Sequence, residues 1–477
     1  MQKMLENNPQ SNFVRFRPRQ RINLLILGDL VASGIALMIA LFLWSLYDEW
    51  LTFSFEFITA RTPFWFFLLP LLWIFLLLEL YDLRRAENLQ NIIRAIALSS
   101  VISFAAYLVV YFAVEPSIQL PRRAIAYFIP LAALFTFLWR RIYIALFTTG
   151  VFKRRIIIVG AGMAGRLILD ELLQQSLSTI EVIGFVDDNP ELHNTQIHDF
   201  KVLGNRSELN DIVENYFVTD VICAISNDIH PELVQILIKL EENGYEVSTM
   251  SHIYEEITGK IPAQMMDSDW LIKNFYSEAH SSASFALSKR VIDILAGLIG
   301  TIGYILLCPI ISLLIVLESG TPIFIQQTRI GLNGKPYNMV KFRTMTVAKQ
   351  PNGTIQPTKV NDERITKIGR LLRKSHLDEL PQFFIILKGE MSLVGPRAEI
   401  DILVDKFEQE IPFYRARLLA KPGLTGWAQI HQDYAATTEE TLEKLQYDLY
   451  YIKHRSLILD LQILVRTVSN VLGLRGR

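Results

Sequence analysis

The sequence predicts a membrane protein in three parts. These are an α-helical N-terminal bundle over 1–149, an α/β domain over 150–275, and a mainly α-helical, membrane-associated part over 285–477 containing a re-entrant helix at 289–317. Three observations carry this. Four apolar segments of bilayer-crossing length fill the first third of the chain. A β-branched run then leads into a glycine-rich turn and a helix-type pattern. A fifth apolar run, interrupted by a proline, precedes a charged remainder with no further run of that length.

Hydrophobic residues make up 51% of the 477 residues, with a mean hydropathy of +0.27, and they come in runs, which points to membrane spans. Net charge is -1, so the chain as a whole has no nucleic-acid bias and no nucleic-acid partner is expected. The two cysteines, Cys223 in a strand pattern and Cys308 in an apolar run, form no disulfide framework or zinc cluster and read as buried apolar residues. The first apolar run is too long for a signal h-region and no small-residue cleavage site follows it, so it is read as an uncleaved span.

The four segments run over 22–47, 63–81, 92–114 and 124–147, each near the ~20 residues a crossing requires. Arg94, Arg140 and Arg141 stand near segment ends, where they can snorkel. Asp29 lies deeper and is read as a polar contact facing the bundle. Arg15, Arg17, Arg19 and Arg21 precede the first segment, Arg84 and Arg85 separate the second and third, and Lys153, Arg154 and Arg155 follow the fourth. The loop after the first segment instead holds Asp48, Glu49 and Glu56 with a lone Arg61. The positive-inside rule then places the N-terminus and everything after residue 150 in the cytoplasm, with Arg122 and Arg123 running against it on the outer loop.

In RRIIIVGAGMAGRLILDELL a strand pattern enters Gly160-x-Gly162-x-x-Gly165 and a helix pattern follows. Asp187, in GFVDDNP, comes about 20 residues later, after a second strand pattern. That is the context of a dinucleotide fingerprint, and the β-α alternation through 218–226 and 245–250 predicts a Rossmann-like domain. Fold and ligand are separate matters. The glycines could serve only the close packing of helix on strand, and no catalytic partner stands among them. Nucleotide binding through Gly160, Gly162, Gly165 and Asp187 stays an open alternative.

By length the run 289–317 would be a fifth span. If it crossed, the charged remainder would lie outside, yet its motifs are suited to phosphate, and nucleotide substrates are cytoplasmic. A re-entrant helix broken near Pro309 reconciles these facts, because proline removes a backbone donor and clashes with the preceding turn.

In the remainder, Arg329, Lys341, Arg343, Arg373 and Arg397 could surround a diphosphate. Among them stands SHLDELPQFF, with adjacent Asp378 and Glu379. Pro381 is tolerated only in a helix's first turn, so a helix is expected to start near Asp378 and hold both acids at its N-terminus. Neighbours on a helix face different ways, so the two acids should have different tasks. One could hold a magnesium ion while the other attacks phosphorus. For an isolated pair a capping role is commoner; here four motifs in one segment weigh against it.

Residues 285–477 resemble the bacterial sugar transferases, the monotopic polyprenyl-phosphate phosphoglycosyl transferases. The resemblance rests on Lys289-Arg290-x-x-Asp293, Pro309, Gln327-x-Arg329-x-Gly331, KFRTM, LDELPQ, KGEMSLVGPR, KPGLTGW and the stretch 447–464. The four segments and glycine-loop domain resemble the larger members, which start capsule, exopolysaccharide or O-antigen repeats, so the likeness covers nearly the whole chain.

The resemblance implies an enzyme of the bacterial inner membrane, multi-pass, with its catalytic domain on the cytoplasmic face. It implies Asp378 as the nucleophile on the β-phosphate of a UDP-sugar, Glu379 as the ligand of Mg2+, release of UMP, and undecaprenyl phosphate as the acceptor of the sugar-1-phosphate, with glucose the first choice of sugar and galactose the second. Arg373 and Arg397 match phosphate- or nucleotide-contacting positions. The family's Pro-Arg-Pro reads Pro396-Arg397-Ala398 here. The middle domain is associated in the family with dimerisation or regulation, which makes a homodimer an expected alternative to a monomer.

A second reading is a membrane-bound NAD-dependent nucleotide-sugar dehydratase or epimerase. Gly297-x-x-Gly300-x-x-Gly303 and Tyr337-x-x-x-Lys341 would be its marks, but these glycines lie inside an apolar run with no strand and turn before them, where small-residue helix packing is their expected use.

Overall fold

The computed structural model describes residues 18–48, 50–81, 86, 88–113, 122–148, 154–174, 180–193, 195–225, 229–265, 283–346, 362, 364–432 and 437–472. The loop charges Arg15, Arg17, Glu49, Arg84, Arg85 and Lys153 lie outside the described residues. The chain forms two compact units, Met1–Ile253 and Tyr254–Arg477.

In the first unit, helices Pro18–Ser45, Leu89–Ala113 and Arg122–Thr148 answer to three of the four expected segments, and each contains a stretch apolar and long enough to cross a membrane. The segment 63–81 is not one straight helix. Phe55–Arg61 and Phe64–Leu76 meet at 104°, and a 3-10 turn follows at Leu78–Tyr81. Pro63 accounts for the bend: the residue before a proline is driven out of the helical region, and Thr62 is extended (φ -105, ψ 116). Arg140 does not snorkel. It is fully buried and meets Asp29 at 2.5 Å, while Tyr81 donates to the same carboxylate oxygen at 3.0 Å and Arg140 donates to Leu80 O at 3.0 Å. Asp29 is thus a bundle contact, with a partner 111 residues away.

The α/β part has a six-stranded sheet in the order β3-β4-β2-β1-β5-β6. Its strands are β1 (Arg154–Val159), β2 (Ile180–Val186), β3 (Gln196–Ile197), β4 (Phe200–Gly204), β5 (Asp220–Cys223) and β6 (Glu246–Thr249). All pairings are parallel except β3 with β4 at the edge. Ile156 to Val159 are all buried, as a central parallel strand covered on both faces requires. Gly160 has φ +108, and a Cβ on Gly165 would stand 1.9 Å from Gly160 O, so both positions demand glycine for the turn and for close packing. Asp187 accepts from Ala161 N at 2.7 Å, joining the end of β2 to the glycine turn.

The second unit holds the long helix Ala283–Ser319 and an antiparallel hairpin of β7 (Phe324–Ile330) and β8 (Pro336–Phe342). A short parallel pair joins β9 (Ser392–Val394) to β10 (Gly423–Thr425). Helices Lys367–Lys374, Gln382–Lys388, Asp401–Glu410, Trp427–His431, Thr438–Lys453 and Leu457–Leu472 surround them. The core gathers Met339, Ile386, Leu393, Trp427, Leu449 and Ile463, among others.

The break expected at Pro309 is not present as an end of helix: the helix runs unbroken through Pro309 to Ser319. The helix is held along its length by its own unit. Near its start Lys289 pairs with Asp460 at 2.6 Å, Arg290 donates to Ile386 O and Leu387 O at 2.9 and 2.7 Å, and Asp293 accepts from Ser392 Oγ and Leu393 N, both at 2.9 Å. A Cβ on Gly300 would fall 2.2 Å from the Phe383 ring, which gives this glycine its packing role. Ile311 and Ile315 pack with Phe342 and Leu372, and Glu318 accepts from Lys367 N and Ile368 N at 2.6 and 2.8 Å.

The stretch Tyr254–Met265 also belongs to this unit. Glu255 is buried and meets Lys453 and His454, each at 2.9 Å, Trp427 donates to Gly259 O at 2.8 Å, and Ile261 and Ala263 join the core.

Candidate active site

The two acids stand on a 3-10 turn, Leu377–Glu379, which runs through Leu380 and Pro381 in helical conformation into the helix Gln382–Lys388. Pro381 stands just ahead of that helix, where it removes no bond the helix needs. His376, at φ 55, turns the chain from the preceding helix into this corner.

The acids differ sharply in their surroundings. Glu379 Oε1 accepts from Lys341 Nζ at 2.5 Å and from Arg397 at 3.3 Å. Burial alone would push its carboxyl up, but Lys341 and Arg397 outweigh that and hold it down at about 2. Asp378 has no hydrogen bond or ion pair among the described residues. Burial, and then the charge of Glu379, push its carboxyl up to about 6, against Lys341, His376 and Arg373. One carboxylate is therefore paired with two cations, which favour its ionised form. Its neighbour has no such partner among the described residues, and burial favours its protonated form more than in an ordinary aspartate.

The five basic residues expected around a diphosphate divide three ways. Lys341, from β8, and Arg397, from the loop after β9, touch Glu379; Arg373, in the last turn of Lys367–Lys374, adds positive charge beside Asp378. Arg329 braces the Arg397 loop by donating to Ala398 O at 3.2 Å and facing Glu399 at 3.7 Å. Arg343 has a different task. It is buried and donates to Ser319 O and Ser319 Oγ at 2.8 Å, and also to Gly320 O, so it clamps the end of the long helix.

Sequence reasoning missed the support beneath this loop. Arg417 is buried, meets Asp448 at 2.7 Å, donates to Tyr414 Oη at 2.8 Å and donates to Arg397 O at 2.8 Å. Glu399 is shared between Lys444 and Arg329. Asp448 lies in a stretch that carried the family likeness; Arg417, in FYRARLLAKP, gave no signal. Tyr337 shares its face of β8 with Lys341, and its hydroxyl is buried without a hydrogen bond among the described residues. Lys341 is engaged with the Glu379 carboxylate, while Gly297 and Gly300 sit in a helix.

Among the described residues no group of three or more His, Cys, Asp or Glu could hold a metal ion. An all-protein cage is thus not what the residues offer. An ionised Glu379 with Asp378 beside it fits a magnesium ion, which takes one or two carboxylates and fills its remaining positions with water and substrate phosphate.

Apolar helices of spanning length, an α/β sheet and an acid pair of which Glu379 is held by Lys341 and Arg397 describe a membrane-associated protein with a charged cluster in its second unit. The family model of the bacterial sugar transferases matches residues 284–474, and that of a CoA-binding domain matches 77–250. The chain is 32% identical to a UDP-glucose:undecaprenyl-phosphate glucose-1-phosphate transferase of Xanthomonas campestris pv. campestris, over 68% of each chain. It is 34% identical to a UDP-N-acetylgalactosamine-undecaprenyl-phosphate N-acetylgalactosaminephosphotransferase of Aeromonas hydrophila, over 61% of this chain and 66% of that one. An uncharacterised sugar transferase of Bacillus subtilis is 40% identical over 39% of this chain and 89% of its own. The chain belongs to the bacterial sugar transferase family and spans about two thirds of the first two relatives.

Proposed function

We propose that the protein transfers a sugar-1-phosphate from a UDP-sugar to undecaprenyl phosphate at the cytoplasmic face of the bacterial inner membrane, releasing UMP. The observation that carries this reading is the division of labour in the acid pair: Glu379 is ionised and bound to cations, Asp378 is free to react. Relatives named for glucose and for N-acetylgalactosamine support the reaction class; glucose is the first choice of donor sugar.

Asp378 attacks the β-phosphorus. A bond forms between its carboxylate oxygen and phosphorus, and the phosphoanhydride bond breaks to release UMP. A phosphate oxygen of the acceptor lipid then attacks the same phosphorus and returns the Asp378 carboxylate. Lys341, Arg397 and Arg373 bind the phosphate oxygens and stabilise the charge that develops there. Glu379 would hold the magnesium ion, which supplies further neutralisation of the diphosphate.

In this reading the long helix, unbroken from Ala283 to Ser319, bends at Pro309 inside it and enters and leaves on one face of the bilayer. The support is that both of its ends are bonded to the same compact unit, through Lys289, Arg290 and Asp293 at one and Glu318 and Arg343 at the other. A cysteine placed at exposed Glu439 should then escape an impermeant maleimide in intact cells and react after lysis. Labelling from outside would mean that the helix spans.

The chemistry is tested by mass spectrometry of the enzyme incubated with UDP-glucose and magnesium without acceptor. A hexose-phosphate should appear on the peptide containing Asp378, with UMP released in step. Asp378→Asn keeps the shape but is a far poorer nucleophile, and transfer should fall about 10³-fold or more. UMP release that requires the lipid acceptor, or near-parental turnover by Asp378→Asn, would replace the two-step route by direct displacement.

A further inference from the structure

In the reaction above Glu379 has two kinds of partner to serve. The same carboxylate that would take a metal ion already receives Lys341 at 2.5 Å and Arg397 at 3.3 Å on one oxygen. Asp378 and Glu379 face Lys341, Arg397 and Arg373, so cations outnumber carboxylates before any ligand arrives. A divalent cation alone would add to an excess of its own sign, while a diphosphate removes that excess.

The two cations on Glu379 are not equally free to move. The Arg397 main chain is tied down by Arg417 through its carbonyl oxygen. Lys341 is a compact charge on a flexible four-carbon stem, rooted in β8 where Lys341 pairs with Ile325. Its head can swing while its backbone stays. Lys341 is only partly exposed, at 23% for the side chain, so leaving Glu379 requires another anion to receive it.

We propose that Lys341 is the resident counterion of Glu379 in the free enzyme and passes to the donor's phosphate when Mg2+ takes the carboxylate, so that metal and UDP-sugar bind as one unit. This rests on the assignment of Glu379 as metal ligand. Lys341 is then a reporter of loading: on the carboxylate when the site is empty, on the phosphate when it is full.

The test is direct binding of Mn2+ to the full-length protein in lipid nanodiscs, followed by the electron paramagnetic resonance signal of free Mn2+. Without nucleotide the parent should bind Mn2+ weakly. Lys341→Met should bind it about tenfold or more tightly, the size of an ordinary coupling between sites, while its affinity for UDP-glucose without metal falls. Lys341→Arg keeps the positive charge and should bind Mn2+ as weakly as the parent, which separates charge from damage to the fold. Unchanged or weaker Mn2+ binding by a folded Lys341→Met would overturn the exchange. Adding Glu379→Gln to Lys341→Met should abolish the gained Mn2+ site. Survival of that site would overturn the metal assignment itself, a failure distinct from that of the exchange.

Discussion

Asp29 with Arg140 and Glu379 with Lys341 are ion pairs of the same length, 2.5 Å, in the two units of the chain. The first is sealed: both side chains are 0% exposed, and one arginine faces one aspartate, closed off by Tyr81 and the Leu80 carbonyl. The second is partly open, and its carboxylate is shared by a lysine and by an arginine that is 41% exposed. A sealed pair with balanced charge can only fix one helix against another. An open cluster with surplus charge of one sign can exchange a partner for a ligand. Length and chemistry of the contact do not separate the two cases; stoichiometry and access do.

The sharpest way to break this contrast is to replace both members of each pair by leucine. Lys341→Leu with Glu379→Leu should leave the protein folded and lose transfer as fully as Glu379→Leu alone, measured by UMP release, because no partner can restore a missing ligand. In the sealed pair, Arg140→Leu alone strands a buried carboxylate and should cost about 3–5 kcal/mol of stability, while adding Asp29→Leu should recover most of it. The unfolding midpoint in nanodiscs checks this. A double leucine variant at 29 and 140 that folds well but loses transfer would show that the sealed pair does more than hold helices. A smaller effect concerns Asp378. Its carboxyl is raised to about 6 and must be ionised to attack, so kcat/KM should fall about tenfold per pH unit below that value and flatten above it. A limb centred near an ordinary aspartate value would mean that the burial around Asp378 is relieved in solution.

The comparison also shows what could be read from the sequence. Runs and periodicities are local, so the long apolar helices, the β-branched strand before Gly160 and the acid pair ahead of Pro381 were legible. Partners distant in the chain were not. Arg140 stands near the end of its apolar segment, where snorkelling was the natural expectation, and only the helix packing sets it opposite Asp29. Arg343 shares KFRTM with Lys341, two residues apart on a strand that ends between them; one reaches the acid pair and the other the end of the long helix. Arg417 carries no motif at all, and its use follows from a fold that brings the Arg397 carbonyl and Asp448 to one point.

The stretch Tyr254–Met265 has a practical consequence for anyone dividing the chain. It precedes residue 284, where the matched transferase region begins, yet it supplies the counter-charge of Lys453 and His454 and the acceptor for the Trp427 indole. A gene fragment cut at the family boundary would remove a buried carboxylate from beside two bases and leave a buried N–H without its carbonyl. The shortest fragment worth expressing therefore starts near Tyr254. A chimera that joins this transferase region to another N-terminal half should likewise keep residues 254–265 with it, and one joined at residue 284 should lose the Glu255 and Gly259 contacts.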